Sequence, residues 1–240
     1  MSIGRLLEAS AALSRDAHRT AAQLASLWVY NPLDYAWVPH AVYIKKYGAG
    51  TKHVLFIGMN PGPWGMAQTG IPFGEIHAVR TWMGIEEPVG KPVQEHPKKI
   101  VEGFACKKSE VSGKRLWGLV SRKYPDSCDF FARHFVVNYC PLLFLDEQGR
   151  NVTPDKLPLS VRKGLELVCD AHLITVIKTT KPAFVIGIGG YAEKKLIQIS
   201  GKLGSHITIG KILHPSPASP RANAGWNQEA ETQLAAYGIW

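Results

Sequence analysis

The fold is decided by residues 52–74, which read KHVLFIGMNPGPWGMAQTGIPFG. The first eight residues are almost continuously apolar, which predicts a strand that is covered on both faces. Five glycines and three prolines then follow within residues 58–74. In open parallel α/β sheets the loops that follow the strands bind ligands, so residues 58–74 are either such a loop or a rigid surface loop.

Strand character recurs in three further runs, at residues 134–139 (HFVVNY), 183–189 (AFVIGIG) and 206–213 (HITIGKIL). Helical patterns lie between and beside these runs, at residues 5–26, 112–123, 160–179, 191–199 and 227–237. Strands that alternate with helices predict an α/β fold with an open parallel sheet. Residues 27–50 are rich in aromatic residues and proline, and we expect an irregular packed segment there.

The chain carries 28 Lys and Arg against 19 Asp and Glu among 240 residues, a formal net charge of +9. Its 45% hydrophobic residues exclude a disordered chain, and its length predicts one domain over residues 1–240. The apolar runs are too short to span a membrane, and Glu8 and Asp16 argue against a secretory signal. The basic balance favours a polyanionic partner, nucleic acid first and anionic lipid second.

The cysteines and histidines do not form a metal-binding pattern. Cys106, Cys128, Cys140 and Cys169 include no Cys-x-x-Cys pair, which argues against a zinc ribbon or an iron–sulfur cluster. The nine histidines show no His-x-x-x-His spacing. We therefore expect no metal and no cofactor, and reduced thiols in a reducing compartment.

Polar residues follow the predicted strands where each one ends. These are Asn60, Asn138, the glycines 189 and 190, and His214. Because the carboxyl ends of parallel strands meet at one edge of a sheet, two amides and an imidazole are expected to come together there. The pattern predicts a polar site that contains no carboxylate.

Three other motifs have two interpretations each. His214 opens the proline-rich stretch 214–226 (HPSPASPRANAGW) and is either a functional group or a buried histidine before a turn. Residues 186–195 (IGIGGYAEKK) form either a phosphate cradle or a plain strand-to-helix turn. The basic runs HPKK (residues 96–99) and CKK (106–108) are either solvated or in contact with phosphate.

Taken together, the motifs resemble the uracil-DNA glycosylase superfamily, and within it the single-strand-selective monofunctional uracil-DNA glycosylases. Residues 58–75 (GMNPGPWGMAQTGIPFGE) are similar to that family's water-positioning motif, and residues 214–226 to its histidine and wedge motif. Residues 136–144 (VVNYCPLLF) resemble its base-reading strand, and residues 111–118 (VSGKRLWG) are also similar. The similarity runs in order from about residue 28 to the C-terminus.

The resemblance implies a three-layer sandwich with a central four-stranded parallel sheet flanked by helices. It implies a monofunctional hydrolase that flips uracil, and 5-substituted uracils, out of DNA and cleaves the N-glycosidic bond to leave an abasic site. Single- and double-stranded DNA are the expected partners of a monomer, with no cofactor, metal or membrane. The expected location is the cytoplasm in a bacterium or the nucleus in a eukaryote.

The resemblance also assigns residues. Asn60 would position the attacking water, and His214 would hydrogen-bond uracil O2. Met59 and Gly62 would contact the base through their backbone, Phe73 would stack on it, and Asn138 would read its edge. The expected DNA-binding wedge is formed by Pro215, Ser216, Pro217, Ala218, Ser219, Pro220 and Arg221.

Two alternative functions are kept beside this one. A protein that recognises uracil or abasic sites without turnover would share the same DNA-binding surface, and a uracil-release assay separates the two. A phosphate-binding enzyme that uses the glycines of residues 187–190 would instead bind a free nucleotide.

Overall fold

The computed structural model describes residues 2–240. The helices are α1 Ser2–Ala21, α2 Pro32–Tyr35, α3 Trp37–Tyr47, α4 Met66–Thr69, α5 Val111–Lys123, α6 Ser127–Arg133, α7 Leu159–Thr180, α8 Gly190–Ile199 and α9 Pro220–Ala236. The strands are β1 Trp28–Tyr30, β2 Val54–Gly58, β3 His134–Asn138, β4 Leu143–Leu145, β5 Phe184–Ile188 and β6 Thr208–Ile212. Single turns of π-helix (Ala78–Trp82) and 3₁₀-helix (Gly103–Ala105, Pro154–Lys156, Ser200–Lys202) complete the described elements.

A parallel sheet of four strands, in the order β3-β2-β5-β6, forms the centre of the molecule. Each strand lies within one of the four predicted runs. All five residues of the central strand β2 are buried, as its continuous apolar sequence requires, whereas Thr208 and Lys211 of the edge strand β6 are exposed. The predicted α/β fold with a four-stranded parallel sheet is therefore confirmed.

Helices cover both faces of the sheet. Phe56 and Ile212 point to one face, where they meet side chains of α5, α6 and α9. Phe135 and Val137 point to the other, where they meet side chains of α1, α3 and α7. The three layers follow from the alternation of side chains along each strand. None of the helices within residues 2–240 combines the length and the apolar character needed to cross a bilayer.

Residues 27–50 are more regular than expected. β1 pairs antiparallel with β4, with Trp28 opposite Leu145, and α2 and α3 follow it. The prolines that suggested irregular structure lie at the start of α2 (Pro32) and in the first turn of α3 (Pro39), where a helix needs no backbone N–H donor. The prediction of an irregular segment was wrong for this reason.

The ends of two predicted helices also moved, and one helix was missed. α1 ends at Ala21, and α9 begins at Pro220, where the Ser219 hydroxyl accepts from the Ala222 N–H (3.3 Å). α9 is kinked at Gly225, so the predicted helix over residues 227–237 corresponds largely to its second part. The missed helix α6 is too short for its periodicity to be read from the sequence.

Candidate active site

A cleft of about 480 Å³ opens at the carboxyl edge of the sheet, between the loops that follow β2, β3 and β6 and the start of α5. Nine residues assigned from the sequence line it: Met59, Asn60, Gly62, Phe73, Asn138, His214, Ser216, Pro217 and Ala218. Eight further residues complete the lining and had not been assigned: Pro63, Trp64, Ser109, Glu110, Val111, Ser112, Asn151 and Thr153. The parallel topology thus gathers residues that are more than 150 positions apart.

Asn60 lies two residues beyond β2 and is held by the segment that follows β3. Its Nδ2 donates to the Leu142 carbonyl oxygen (3.2 Å), which orients the carboxamide. Its Oδ1 is buried and accepts no hydrogen bond from the protein. The Asn60 side chain therefore offers one free acceptor in the cleft, which suits it to hold a water molecule.

Asn138 is the last residue of β3 and lies opposite Gly58 of β2. Its Nδ2 donates to the Met66 Sδ (3.2 Å), and its buried Oδ1 has no partner. A side chain at Gly58 would collide with both Asn138 Oδ1 and the ring of Phe73. Glycine at this position is what lets the two side chains close over the end of β2.

Phe73 adopts a left-handed backbone conformation (φ 53°), which is uncommon for a residue other than glycine. Its carbonyl oxygen accepts from Trp117 Nε1 (2.8 Å) and from the Glu75 N–H (2.7 Å), and these bonds hold the strained turn. The Phe73 ring lies 6.1 Å from the ring of His214, centre to centre. The two rings form the apolar side of the cleft.

His214 follows β6 and approaches the turn after β5. A Cβ on Gly189, whose φ is +92°, would lie only 2.9 Å from the His214 Cβ. Burial lowers the pKa of His214 from 6.5 to about 4. The imidazole is therefore neutral near pH 7 and carries a single N–H donor.

Arg115 of α5 fixes the segment that follows His214. It donates to the carbonyl oxygens of Pro215 (3.1 Å) and Ser216 (3.3 Å), and its other terminal nitrogen donates to Asn223 Oδ1 (2.9 Å). Asn223 in turn donates to the Pro217 carbonyl oxygen (2.9 Å). This network was not expected from the sequence, because Arg115 lies 100 residues from Pro215.

The assigned wedge residues divide into two groups. Ser216, Pro217 and Ala218 line the cleft, but Pro215, Ser219, Pro220 and Arg221 do not. Ser219 caps α9, and Arg221 pairs with Glu229 of the same helix (2.6 Å) on an exposed surface. An exposed ion pair of this kind contributes little to stability, so contact between Arg221 and DNA stays a prediction.

Glu110 is the most unusual residue that sequence reasoning missed. It lies directly before α5, and its carboxyl group occupies the space where side chains at Gly62 or Gly65 would be. Its Oε2 is buried and has no hydrogen-bond partner, and burial, followed by the nearby Glu75, raises its pKa from 4.5 to about 7. A carboxyl group therefore does line the cleft, contrary to the expectation of a site without one.

Gln68 connects the loop of Asn60 to a distant segment. Its Nε2 donates to the carbonyl oxygens of Pro63 and Ile100 (both 3.0 Å). Its Oε1 accepts from the N–H groups of Glu102 (2.8 Å) and Gly103 (3.1 Å). The side chain is fully buried with every hydrogen-bonding position used, so it holds residues 100–103 beside the cleft.

The pKa of Glu110 predicts how stability depends on pH. The folded protein keeps the proton up to about pH 7 while the unfolded chain loses it near pH 4.5, so stability is lost as the pH rises through this range. Glu110→Gln cannot ionise. Between about pH 5 and pH 8 the wild type is expected to lose about 2–3 kcal/mol of unfolding free energy relative to Glu110→Gln.

Denaturant unfolding of both proteins at several pH values measures this difference. Parallel pH profiles for the two proteins would show that Glu110 is ionised in the folded state throughout the range. No three His, Cys, Asp or Glu side chains in residues 2–240 are grouped so as to hold a metal ion.

Comparison with known proteins relates the chain to a family. A model of the uracil DNA glycosylase superfamily matches residues 45–235. The chain is 47% identical over 211 residues to the single-strand selective monofunctional uracil DNA glycosylase of Bos taurus, covering 88% of this chain and 78% of that protein. The corresponding protein of Mus musculus is 46% identical over 211 residues, covering 88% and 76%.

A solved structure, described as wild-type SMUG2 of Pedobacter heparinus, is similar in fold. It superimposes with a TM-score of 0.66 and covers 89% of this chain and 88% of its own. The two sequences are 17% identical, so this likeness supports the fold alone.

Proposed function

The chain belongs to the uracil DNA glycosylase superfamily, and we propose that it hydrolyses the N-glycosidic bond of uracil in DNA and leaves an abasic site. The observation that carries the proposal is the pair of buried, unpartnered amide oxygens of Asn60 and Asn138, in one cleft with the neutral imidazole of His214. The relatives named above carry the same activity in their names.

Asn138 and Phe73 would hold the base. A base inside a duplex is out of reach, so the nucleotide is flipped into the cleft at a cost of about a few kcal/mol. Uracil offers an N3–H donor beside the O4 acceptor, and the Asn138 carboxamide answers with its free Oδ1 and its Nδ2. The sulfur of Met66 is a weak acceptor, so O4 replaces it as the partner of Nδ2 at little cost.

His214 and Asn60 would act on the bond itself. The sugar passes through an oxocarbenium-like state while negative charge develops on uracil O2. A neutral His214 donates to O2 without itself carrying charge. Asn60 cannot remove a proton from water but can orient it through Oδ1, so bond breaking runs ahead of water attack.

We extend the proposal to 5-substituted uracils and to both single- and double-stranded DNA. Support comes from the names of the relatives, which describe single-strand selectivity, and from the net charge of +9. The alternative of a phosphate-binding enzyme has less support. The glycines at 187 and 189 are needed for packing, against the backbone of Glu193 and against His214, and so already have a structural role.

Oligonucleotides with a single uracil, 5-hydroxymethyluracil or thymine, each paired and unpaired, test the proposal. Uracil release is expected to leave an intact strand that alkali then cleaves at the abasic site. An amine nucleophile in the cleft would cleave the strand before alkali is added. Tight binding of the uracil strand without base release would favour the alternative of a non-catalytic binder.

Asn60→Ala is expected to lower the single-turnover rate of uracil release by about 10²-fold or more, because the attacking water loses its orientation. Affinity for DNA with an abasic analogue is expected to change little, since Asn60 contacts the water and not the backbone. Rapid-quench kinetics and fluorescence anisotropy measure the two quantities. A rate close to that of the wild type would remove Asn60 from the mechanism.

A further inference from the structure

The rim of the cleft carries a cluster that the proposed reaction does not use. Trp64 lines the cleft four residues after Asn60, and two ammonium groups lie over its indole ring. The Nζ of Lys108 is 4.1 Å and the Nζ of Lys99 is 4.5 Å from the ring centre. We propose that Trp64, Lys99 and Lys108 form a binding site for a phosphodiester of the DNA strand that carries the flipped nucleotide. The site rests on the proposed function, since it assumes a DNA substrate.

Lys99 is held in place by its backbone and by its stem. Its carbonyl oxygen accepts from the Tyr30 hydroxyl (2.8 Å), and its N–H donates to the His96 carbonyl oxygen (2.8 Å). A Cβ on Gly149 would lie 3.4 Å from the Lys99 Cε, so the stem packs closely against this glycine. The hydrogen bonds of Gln68 fix the segment next to it. An ammonium group positioned in advance binds an anion with less loss of side-chain entropy.

The positive charge of the cluster is not neutralised by the protein. Neither lysine lies within 4.0 Å of a carboxylate in the part of the chain that the structure describes. The nearby Glu95 is already engaged, because it accepts from the Val101 N–H (2.7 Å) and pairs with Lys91 (3.4 Å). The two ammonium groups are at most about 9 Å apart. Burial and the neighbouring Lys108 lower the pKa of Lys99, and an anion shared by both would relieve that repulsion.

A phosphate suits this cluster better than a base. The lysines lie over the indole ring, so a base that stacked on it would have to displace a cation. Phosphates are the sequence-independent part of DNA, and contacts to them position the strand without reading it. The cluster thus selects the basic runs of residues 96–99 and 106–108 as phosphate contacts, one of the two interpretations open from the sequence.

The double variant Lys99→Ala/Lys108→Ala tests the site. Its control is Lys45→Ala/Lys178→Ala, which removes the same charge from the last turns of α3 and α7, at the opposite edge of the sheet. Anisotropy of a labelled single strand with an abasic analogue is measured between about 50 and 200 mM salt. The slope of log affinity against log salt is expected to fall by about 1.5 for the test variant, at about 0.7–0.9 per phosphate lost. The control slope is expected to stay at the wild-type value, and equal slopes for the two variants would overturn the proposal.

Trp64→Leu separates phosphate binding from base stacking. With the ring gone, both lysines lose their support and the salt slope is expected to fall as in the double variant. If Trp64→Leu lowers affinity with the slope unchanged, Trp64 stacks on a base and the proposal is wrong. Thermal unfolding of every variant checks that the fold is retained.

The binding assay does not depend on turnover. A wild-type protein that binds with a steep salt slope lost in the test variant, yet releases no uracil, would overturn the proposed function and leave the phosphate site standing. Normal uracil release with an unaltered slope in the test variant would overturn the phosphate site alone.

Discussion

His214→Ala is expected to lower the single-turnover rate of uracil release by about 10²–10³-fold, the effect of losing one preorganised donor at a developing negative charge. The uracil anion leaves with its charge partly on O2, in a cleft where Phe73 lies beside the imidazole. Alanine would leave that oxygen without a protein donor from β6. The rate is measured by rapid quench with enzyme in excess, on a single-stranded oligonucleotide with one uracil.

His214→Gln provides the control, because its amide keeps one donor and is expected to retain part of the rate. With a pKa of about 4, His214 stays neutral throughout the neutral range, so its titration is not expected to shape the rate between about pH 6 and pH 8. A rate for His214→Ala within about tenfold of the wild type would assign the O2 contact to another group.

Asn138→Asp is expected to slow uracil release by at least about 10²-fold and to change which base is accepted. Ionised aspartate has no donor for O4 and repels it, at a position that is buried beside Phe73 and Met66. Sites that read a base through buried hydrogen bonds discriminate strongly, because a wrong partner leaves polar groups unpaired. Base release from paired oligonucleotides with uracil or cytosine measures both effects.

The protonated form of the same variant is expected to release cytosine weakly. Its O–H can donate to cytosine N3 while the other oxygen accepts from the N4 amino group. Protonation rises as the pH falls, so cytosine release is expected to increase between about pH 7.5 and pH 5.5. Asn138→Ala is the control, since it loses both hydrogen bonds and gains none. Unchanged uracil release by Asn138→Asp would show that another residue reads the base edge.

Most of the sheet could be predicted because its strands are defined locally. The runs that became β2 and β5 are nearly continuous apolar segments, which only strands covered on both faces require. Placing Asn60, Asn138 and His214 in one cleft needed a single further rule, that parallel strands end at the same edge. The small sheet of β1 and β4 could not be predicted, since three residues show no period and their partners lie more than 100 positions away.

What the sequence by itself determined is therefore the fold class and the residues at the strand ends, because apolar periodicity and glycine-rich turns act on neighbours along the chain. Tertiary structure alone decided the other contributions to the cleft. Glu110 reaches it from the start of α5, Arg115 holds the segment after His214, and Lys99 and Lys108 meet over Trp64. Each of these depends on distances between segments remote in sequence, and burial changes a group such as Glu110 only once those segments have packed around it.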